Sequence, residues 1–324
     1  MHLAYFTTHV PNFGDDLNAD IWPALAPGLF ADDDPGHSFV GIGTILGLPR
    51  VTSPRIEVFS TGAGNDPIAN WAGRRITYHC VRGPVTARLC GIDADRVVTD
   101  GGLLVPQVPG FPDRAAGGGG TVVIPHFETA AHGDWQSACA LAGMRYLDPR
   151  RPTREVVGEI AGADRVLTES LHGAIIADSY GVPWQAFACS RNFGTTKWVD
   201  WLASLDLRFT ATLVPPPDAA YLLRVGLRAE PWGTAVEFSL EDALQEFTAR
   251  VEADRPRPLR RMARELMLRL PPLQHFLGYS AARTASALTE LAQREPVMSA
   301  ETVRQSRTDQ LLSRLRALES TTLA

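Results

Sequence analysis

Lysine is almost missing from this chain. Of 31 basic residues only Lys197 is lysine, so arginine serves wherever charge alone matters. A lone ammonium invites a chemical role, because it differs from guanidinium in reach, hydration and ability to lose a proton, although compositional drift leaving one neutral survivor explains it equally. Cysteine is sparse too. Cys80, Cys90, Cys139 and Cys189 show no CxxC spacing and no nearby histidine at zinc-ligand spacing. Buried, reduced thiols are expected, with neither a disulfide framework nor a metal site. No window approaches 18 uninterrupted apolar residues, and Met1 to Thr8 lacks a basic region leading an apolar one. A soluble, cytoplasmic protein is expected. There is no GxGxxG and no P-loop spacing, so Gly62-Ala-Gly64 carries no inference of a dinucleotide or ATP.

What is present bounds the architecture. At 324 residues, 45% of them apolar, the chain exceeds one comfortable core and is no disordered polymer. Charge is unevenly placed: residues 250–324 hold 13 Arg against 8 acidic residues, net +5, leaving net −10 for residues 1–249. A basic helical tail suits nucleic acid or an anionic membrane, but its arginines are interspersed with Leu, Ala and Glu. That pattern favours the solvated face of packed helices, and no nucleic-acid partner is expected.

Short β-like runs alternate with Gly-rich turns and helical segments. The first half reads as strand Leu3 to Thr8, the turn Asn12 to Asn18 running into a helix through Leu25, and strands Arg55 to Thr61 and Ile76 to Val81. A helix opened by Pro84 and a short strand Val97 to Thr99 complete it. Breakers cluster from Val108 to Gly120, the best linker in the chain. A second series follows: strand 121–126, helix 130–142, strand 144–147, helix 153–161, strand 165–169, helix 171–180 and strand 183–188. Helix Thr195 to Leu205 comes next, and from Ser239 the pattern is helical, with Ser239 and Asp242 spaced as a capping-box variant. The predicted fold class is α/β: two Rossmann-like parallel-sheet domains, residues 1–110 and 111–238, facing a cleft, with a helical C-terminal region 239–324. Ligands of such sheets bind outside the carboxyl ends of the strands, where the polar motifs fall.

The motif Ser170-Leu-His-Gly173 places one histidine where a helix begins, beside unpaired N–H groups and the positive end of the macrodipole. His172 therefore suits acid/base work on an anion, with Gly173 allowing close approach to the backbone. A core histidine is the alternative. His126 has a similar strand-end placement, Arg82 could grip a carboxylate or phosphate or form a surface ion pair, and Asp100 could be a turn residue. Asn12, Asp15 and Asn18 could meet a ligand, although helix capping by Asp15 or Asp16 explains that turn at least as well.

Taken in order, Asn12-Phe-Gly-Asp-Asp-Leu-Asn18, Arg82-Gly-Pro84, Asp100-Gly-Gly-Leu-Leu104, Ser170-Leu-His-Gly-Ala-Ile-Ile-Ala-Asp178 with Val182-Pro-Trp184, and Lys197-Trp-Val-Asp-Trp201 resemble the polysaccharide pyruvyl transferases. The similarity spans about residues 3–210 and is nearest to the bacterial exopolysaccharide ketal-pyruvyl branch. It implies a fold like the two-domain GT-B glycosyltransferases, phosphoenolpyruvate as donor, a sugar diol as acceptor, and no metal or redox cofactor. It implies His172 as general acid/base, a donor side of Arg82, His126, Ser170, Leu171, Gly173, Arg191 and Lys197, and an acceptor side of Asn12, Asp15, Asp16, Asn18 and Asp100. A lipid-linked acceptor would bring the protein to the inner face of the membrane; oligomeric state is left open. Family members often carry Arg-Leu-His where this chain has Ser170-Leu-His172, so Lys197 or Arg191 is expected to supply the missing cation. A nucleotide-sugar glycosyltransferase and a non-catalytic sugar-binding relative fit the same architecture.

Overall fold

A computed structural model describes residues 1–114, 117–219, 222, 225–252 and 278–323. The first half forms a four-stranded sheet in the order β1 (His2–Ala4), β2 (His37–Val40), β3 (Arg55–Phe59), β4 (Arg75–Cys80), all parallel. Between them lie α1 (Phe13–Leu25) and, after β4, α2 (Pro84–Cys90), with Pro84 in its first turn and Gly91 closing it at φ 64°. The predicted strand Leu3 to Thr8 is thus only three residues long and shifted, and β2 was not foreseen. Val97 to Thr99 forms one bridge, Val81 to Val97, rather than a strand.

The second half builds a six-stranded sheet from β5 (Thr121–Ile124), β6 (Arg145–Tyr146), β7 (Arg165–Thr168), β8 (Trp184–Ala188), β9 (Phe209–Leu213) and β10 (Ala235–Phe238). Their order is β10-β9-β8-β7-β5-β6, parallel except for β10. Helices α3 (Trp135–Leu141), α4 (Thr153–Ala161), α5 (Leu171–Ser179) and α6 (Thr195–Ala203) lie between the strands as the sequence rhythm predicts. Parallel sheets need both faces covered. Here the cover is continuous: one apolar cluster runs from Phe13, Trp22 and Phe39 of the first half to Val122, Ile175 and Trp201 of the second.

Residues 101–107 form a 3-10 segment packed against α5, and the linker Val108 to Gly120 follows it; Ala115 and Ala116 lie outside the described residues. Helix α7 (Leu240–Glu252) opens on the foreseen capping box, Asp242 N–H to Ser239 Oγ at 3.2 Å and Ser239 N–H to Asp242 Oδ2 at 2.8 Å. Of the expected helical tail, residues 253–277 lie outside the described residues. Helix α8 (Ala281–Ala292) packs on α3, and α9 (Glu301–Leu323) returns to the first half with Leu311, Leu315 and Leu318 buried. Tail arginines are spent on carbonyls: Arg307 on Ser204, Arg314 on His79 and Asp95, Arg294 on Gly233. No helix among the described residues is long and apolar enough to cross a membrane. All four cysteines are free; Cys80, Cys139 and Cys189 are buried and Cys90 half-buried.

Candidate active site

The second sheet reverses direction between β5 and β7: the chain first steps outward from β5 to β6, then resumes on β5's other side. That reversal opens a crevice at the carboxyl ends, the usual ligand position in such sheets. His126 leaves β5 there and Ser170 leaves β7. Glu169 binds the strand ends together, its carboxylate accepting from the backbone N–H of His126 at 3.0 Å and of Cys189 at 3.1 Å. Burial raises the Glu169 carboxyl, and these donors oppose the rise. Ser170 caps α5 by accepting from Gly173 N–H at 3.4 Å.

Helix α1 of the first half completes the crevice. Asn12 donates to Asp15 Oδ2 at 2.6 Å, and Phe13 N–H reaches Pro149 O at 3.0 Å, tying the helix start to the second half. Gly14 lies against the catalytic candidate: a Cβ built there would sit 2.2 Å from His172 Nδ1. From the other side α6 brings Lys197. Its helix start is held by α7, where Glu246 accepts from Thr196 N–H at 2.7 Å and pairs with Arg250 at 2.7 Å.

These elements enclose a cavity of about 290 Å³ lined by side chains from both halves, among them Asn12, Asp15, Asn65, His126, His172 and Lys197. Four of its titrating groups are displaced from their ordinary values. Asp15 is pushed up to about 7, chiefly by burial, with Asn12 and Lys197 opposing. His172 is pulled down to about 3 by burial, then by the Lys197 and Arg82 charges. Lys197 falls to about 8 through burial and the Arg250 guanidinium, against Asp15 and Glu169. Burial, with Lys197 and Arg250, holds His126 well below its usual range. The carboxyl and the amine change charge near neutral pH and can exchange protons around a bound anion, whereas the imidazole stays neutral there until negative charge arrives beside it.

The polysaccharide pyruvyl transferase family model matches residues 56–191. The succinoglycan biosynthesis protein ExoV of Rhizobium meliloti (strain 1021) is 31% identical over 259 residues, which cover 77% of this chain and 78% of the relative. The chain belongs to the polysaccharide pyruvyl transferase family. It is therefore a member of a transferase family, and the matched segment holds β5, β7 and the start of α5.

Of the residues expected to form the site of this pyruvyl transferase family member, Asn12, Asp15, His126, Ser170, Leu171, His172 and Lys197 line one cavity. The others have different employment. Arg82 is completely buried and gives its Nε to Asp200 at 2.9 Å, Nη1 to Thr44 Oγ1 at 2.9 Å and Nη2 to Ala63 O at 3.2 Å. It straps β4 to α6 instead of facing solvent, and a Cβ on Gly62 would strike its guanidinium at 2.2 Å. Asn18 is likewise internal, accepting from Trp22 Nε1 at 2.8 Å and Ile42 N–H at 3.0 Å. Gly173 has no Cβ for packing reasons, since one would lie 2.5 Å from Thr168 Oγ1 on β7. Asp100 is fully buried and caps the 3-10 segment through Gly102 N–H at 2.9 Å. Asp16 is half-buried outside the lining, and Arg191 is exposed outside it. The resemblance left Gly14, Glu169, Asp200 and Arg250 without roles, though Gly14 and Asp200 sit inside its motifs.

Proposed function

We propose that the protein transfers the pyruvyl group of phosphoenolpyruvate to two hydroxyls of a sugar in an exopolysaccharide or its lipid-linked precursor, forming a pyruvate ketal and releasing phosphate. The observation carrying this reading is the convergence of His172, Lys197 and Asp15, from α5, α6 and α1, on one cavity beside a helix start. The family supplies the reaction class, and the name of the Rhizobium relative points to an exopolysaccharide. In this reading the two sheets form a GT-B-like pair, residues 1–110 on the acceptor side and 111–238 on the donor side, followed by the helical region 239–324. It acts at the cytoplasmic face, where a lipid-linked acceptor resides.

The chemistry follows from the donor. The first hydroxyl oxygen bonds to C2 while the C2–C3 π pair takes a proton at the methylene carbon, which becomes a methyl group. The C2–O bond to phosphate then breaks, and the second hydroxyl oxygen takes its place, giving up its own proton. Lys197, in place of the family's arginine at position 170, holds the donor's negative charge with the start of α5. Asp15, near neutral pH in its affinity for a proton, takes one from the attacking hydroxyl. With only protein charges around it His172 is neutral at pH 7, but a carboxylate and a phosphate beside Lys197 raise its proton affinity and make it the acid.

Two measurements test this. Phosphoenolpyruvate should raise the unfolding temperature where a panel of nucleotide sugars does not. Acceptor-dependent phosphate release should fall by roughly a hundredfold or more in His172→Ala, with the fold intact by circular dichroism. Stabilisation by a nucleotide sugar alone, or near-normal turnover of the variant, sinks the reading.

A further inference from the structure

Three buried polar atoms around the Gly101-Gly102 turn are unpartnered among the described residues: His172 Nε2, Asp100 Oδ2 and Ser60 Oγ. Asp100 and Ser60 are wholly inaccessible and His172 is 8% exposed. Native structures leave few such atoms, and those they leave tend to have a function or a bridging water. All three residues border the glycine pair after Asp100. A Cβ on Gly102 would lie 3.2 Å from Asp100 Oδ1 and 3.9 Å from His172 Cδ2, the ring carbon bonded to Nε2. A Cβ on Gly101 would lie 2.5 Å from Ser60 Oγ. The two glycines let the turn slot between β3 and α5, with a carboxylate and an imidazole edge on one methyl-sized spot of backbone.

We infer that Asp100 is a positioning residue for His172: its buried carboxylate accepts from imidazole Nε2–H, directly or through one water that Ser60 also binds. The ring's other edge, Nδ1, lies against Gly14, whose neighbours Asn12 and Asp15 line the cavity. With Nε2–H committed to Asp100, Nδ1 is the nitrogen that exchanges protons with substrate. The carboxylate also stabilises the imidazolium that a proton donor must form. The other charges around the ring come from three elements. Lys197 on α6 and Arg82 after β4 oppose the imidazolium, and Asp15 on α1 shares the cavity with the ring. Asp100 is the carboxylate placed behind the ring, and second carboxylates of this kind fix histidine tautomers in many sites.

The inference rests on the proposed function only for what the protonated ring does, and its test is chosen accordingly. In protein labelled with 15N-histidine, long-range proton–nitrogen spectra at neutral pH should show His172 as the Nε2–H tautomer, assigned by loss of its signals in His172→Gln. Asp100→Asn presents an amide donor to the ring and should convert it to the Nδ1–H tautomer. Asp100→Ser keeps an oxygen to cap Gly102 N–H while removing the carboxylate, and should leave a mixture. In the transferase assay both variants should lose kcat about tenfold or more, the worth of roughly one pKa unit of imidazolium stabilisation, with the KM for phosphoenolpyruvate unchanged. An unchanged Nε2–H tautomer in both folded variants overturns the inference and leaves Asp100 as a turn cap. A tautomer switch in a protein that ignores phosphoenolpyruvate supports the pairing while refuting the reaction.

Discussion

Gly14→Ala tests how closely α1 and His172 are fitted. The added methyl carbon would lie 2.2 Å from Nδ1, 2.5 Å from Cγ and 2.7 Å from Cβ of His172. Carbon atoms prefer about 3.5–4.0 Å, and His172 Cβ is fixed to the α5 backbone, so turning the ring cannot relieve the contact. Helix α1 must move outward by roughly an ångström. It is held by Phe13 N–H on Pro149 O at 3.0 Å and by Asn18 on Ile42. Overpacking of this kind costs about 1–3 kcal/mol, against which alanine in a helix returns at most about 1 kcal/mol. A net loss of up to about 2 kcal/mol is expected in urea unfolding. Acceptor-dependent phosphate release should suffer more than stability, because displacement of an ångström is expensive in a reacting geometry. The decisive assay is a double-mutant cycle. In a His172→Gly background the methyl meets open space, so Gly14→Ala should become neutral or stabilising, a coupling of about 1–3 kcal/mol. A coupling near zero would falsify the packing argument whatever the activity does.

Other consequences follow from the same structure. Asp200→Ala should destabilise the fold by about 3–5 kcal/mol, since it strands the buried Arg82 guanidinium, and denaturant unfolding should register the loss even without substrate. Lys197, lowered to about 8 by burial and Arg250, binds an anion as the ammonium. The dissociation constant for phosphoenolpyruvate should therefore rise about tenfold per pH unit above about pH 8, and Lys197→Arg should flatten that rise; a flat wild-type profile counts against Lys197 as donor ligand. Burial pushes the Glu57 carboxyl up, but hydrogen bonds from His79 and His37 outweigh it and leave it at about 2, below its unfolded value near 4.5. Its contribution is fully present above pH 4.5 and lost as pH falls towards 2, so Glu57→Gln should unfold more readily at pH 7 and converge with wild type in acid.

Much of the fold is legible locally. Helix Thr153–Ala161 is found at its predicted bounds, and α5 falls one residue short of its predicted end, because apolar spacing and turn residues lie within a few positions of each other. β2, His37-Ser-Phe-Val40, is too short and too mixed to announce itself, and β9 and β10 flank Pro215-Pro-Pro217, which reads as a turn. Part of the cavity lining was legible. The strand-to-helix turn at His172 and the solitary Lys197 both reach the cavity, as their positions after strands suggest.

Arg82 shows where local reading ends. By sequence it stands at a strand end before a helix, as a donor ligand would; in space Asp200, 118 residues away, folds onto it and consumes its charge. Gly173 invites the thought of a ligand, yet Thr168 occupies the room. The sequence by itself determined the alternation of elements, the family and the histidine at a helix start, because each depends on neighbours along the chain. Only the tertiary structure decided which polar groups line the cavity and which are spent elsewhere: Asp15 and Lys197 at the cavity, Arg82 and Asn18 locked inside. Hydrogen bonding and desolvation are settled by partners that folding brings together, and spacing along the chain does not encode them.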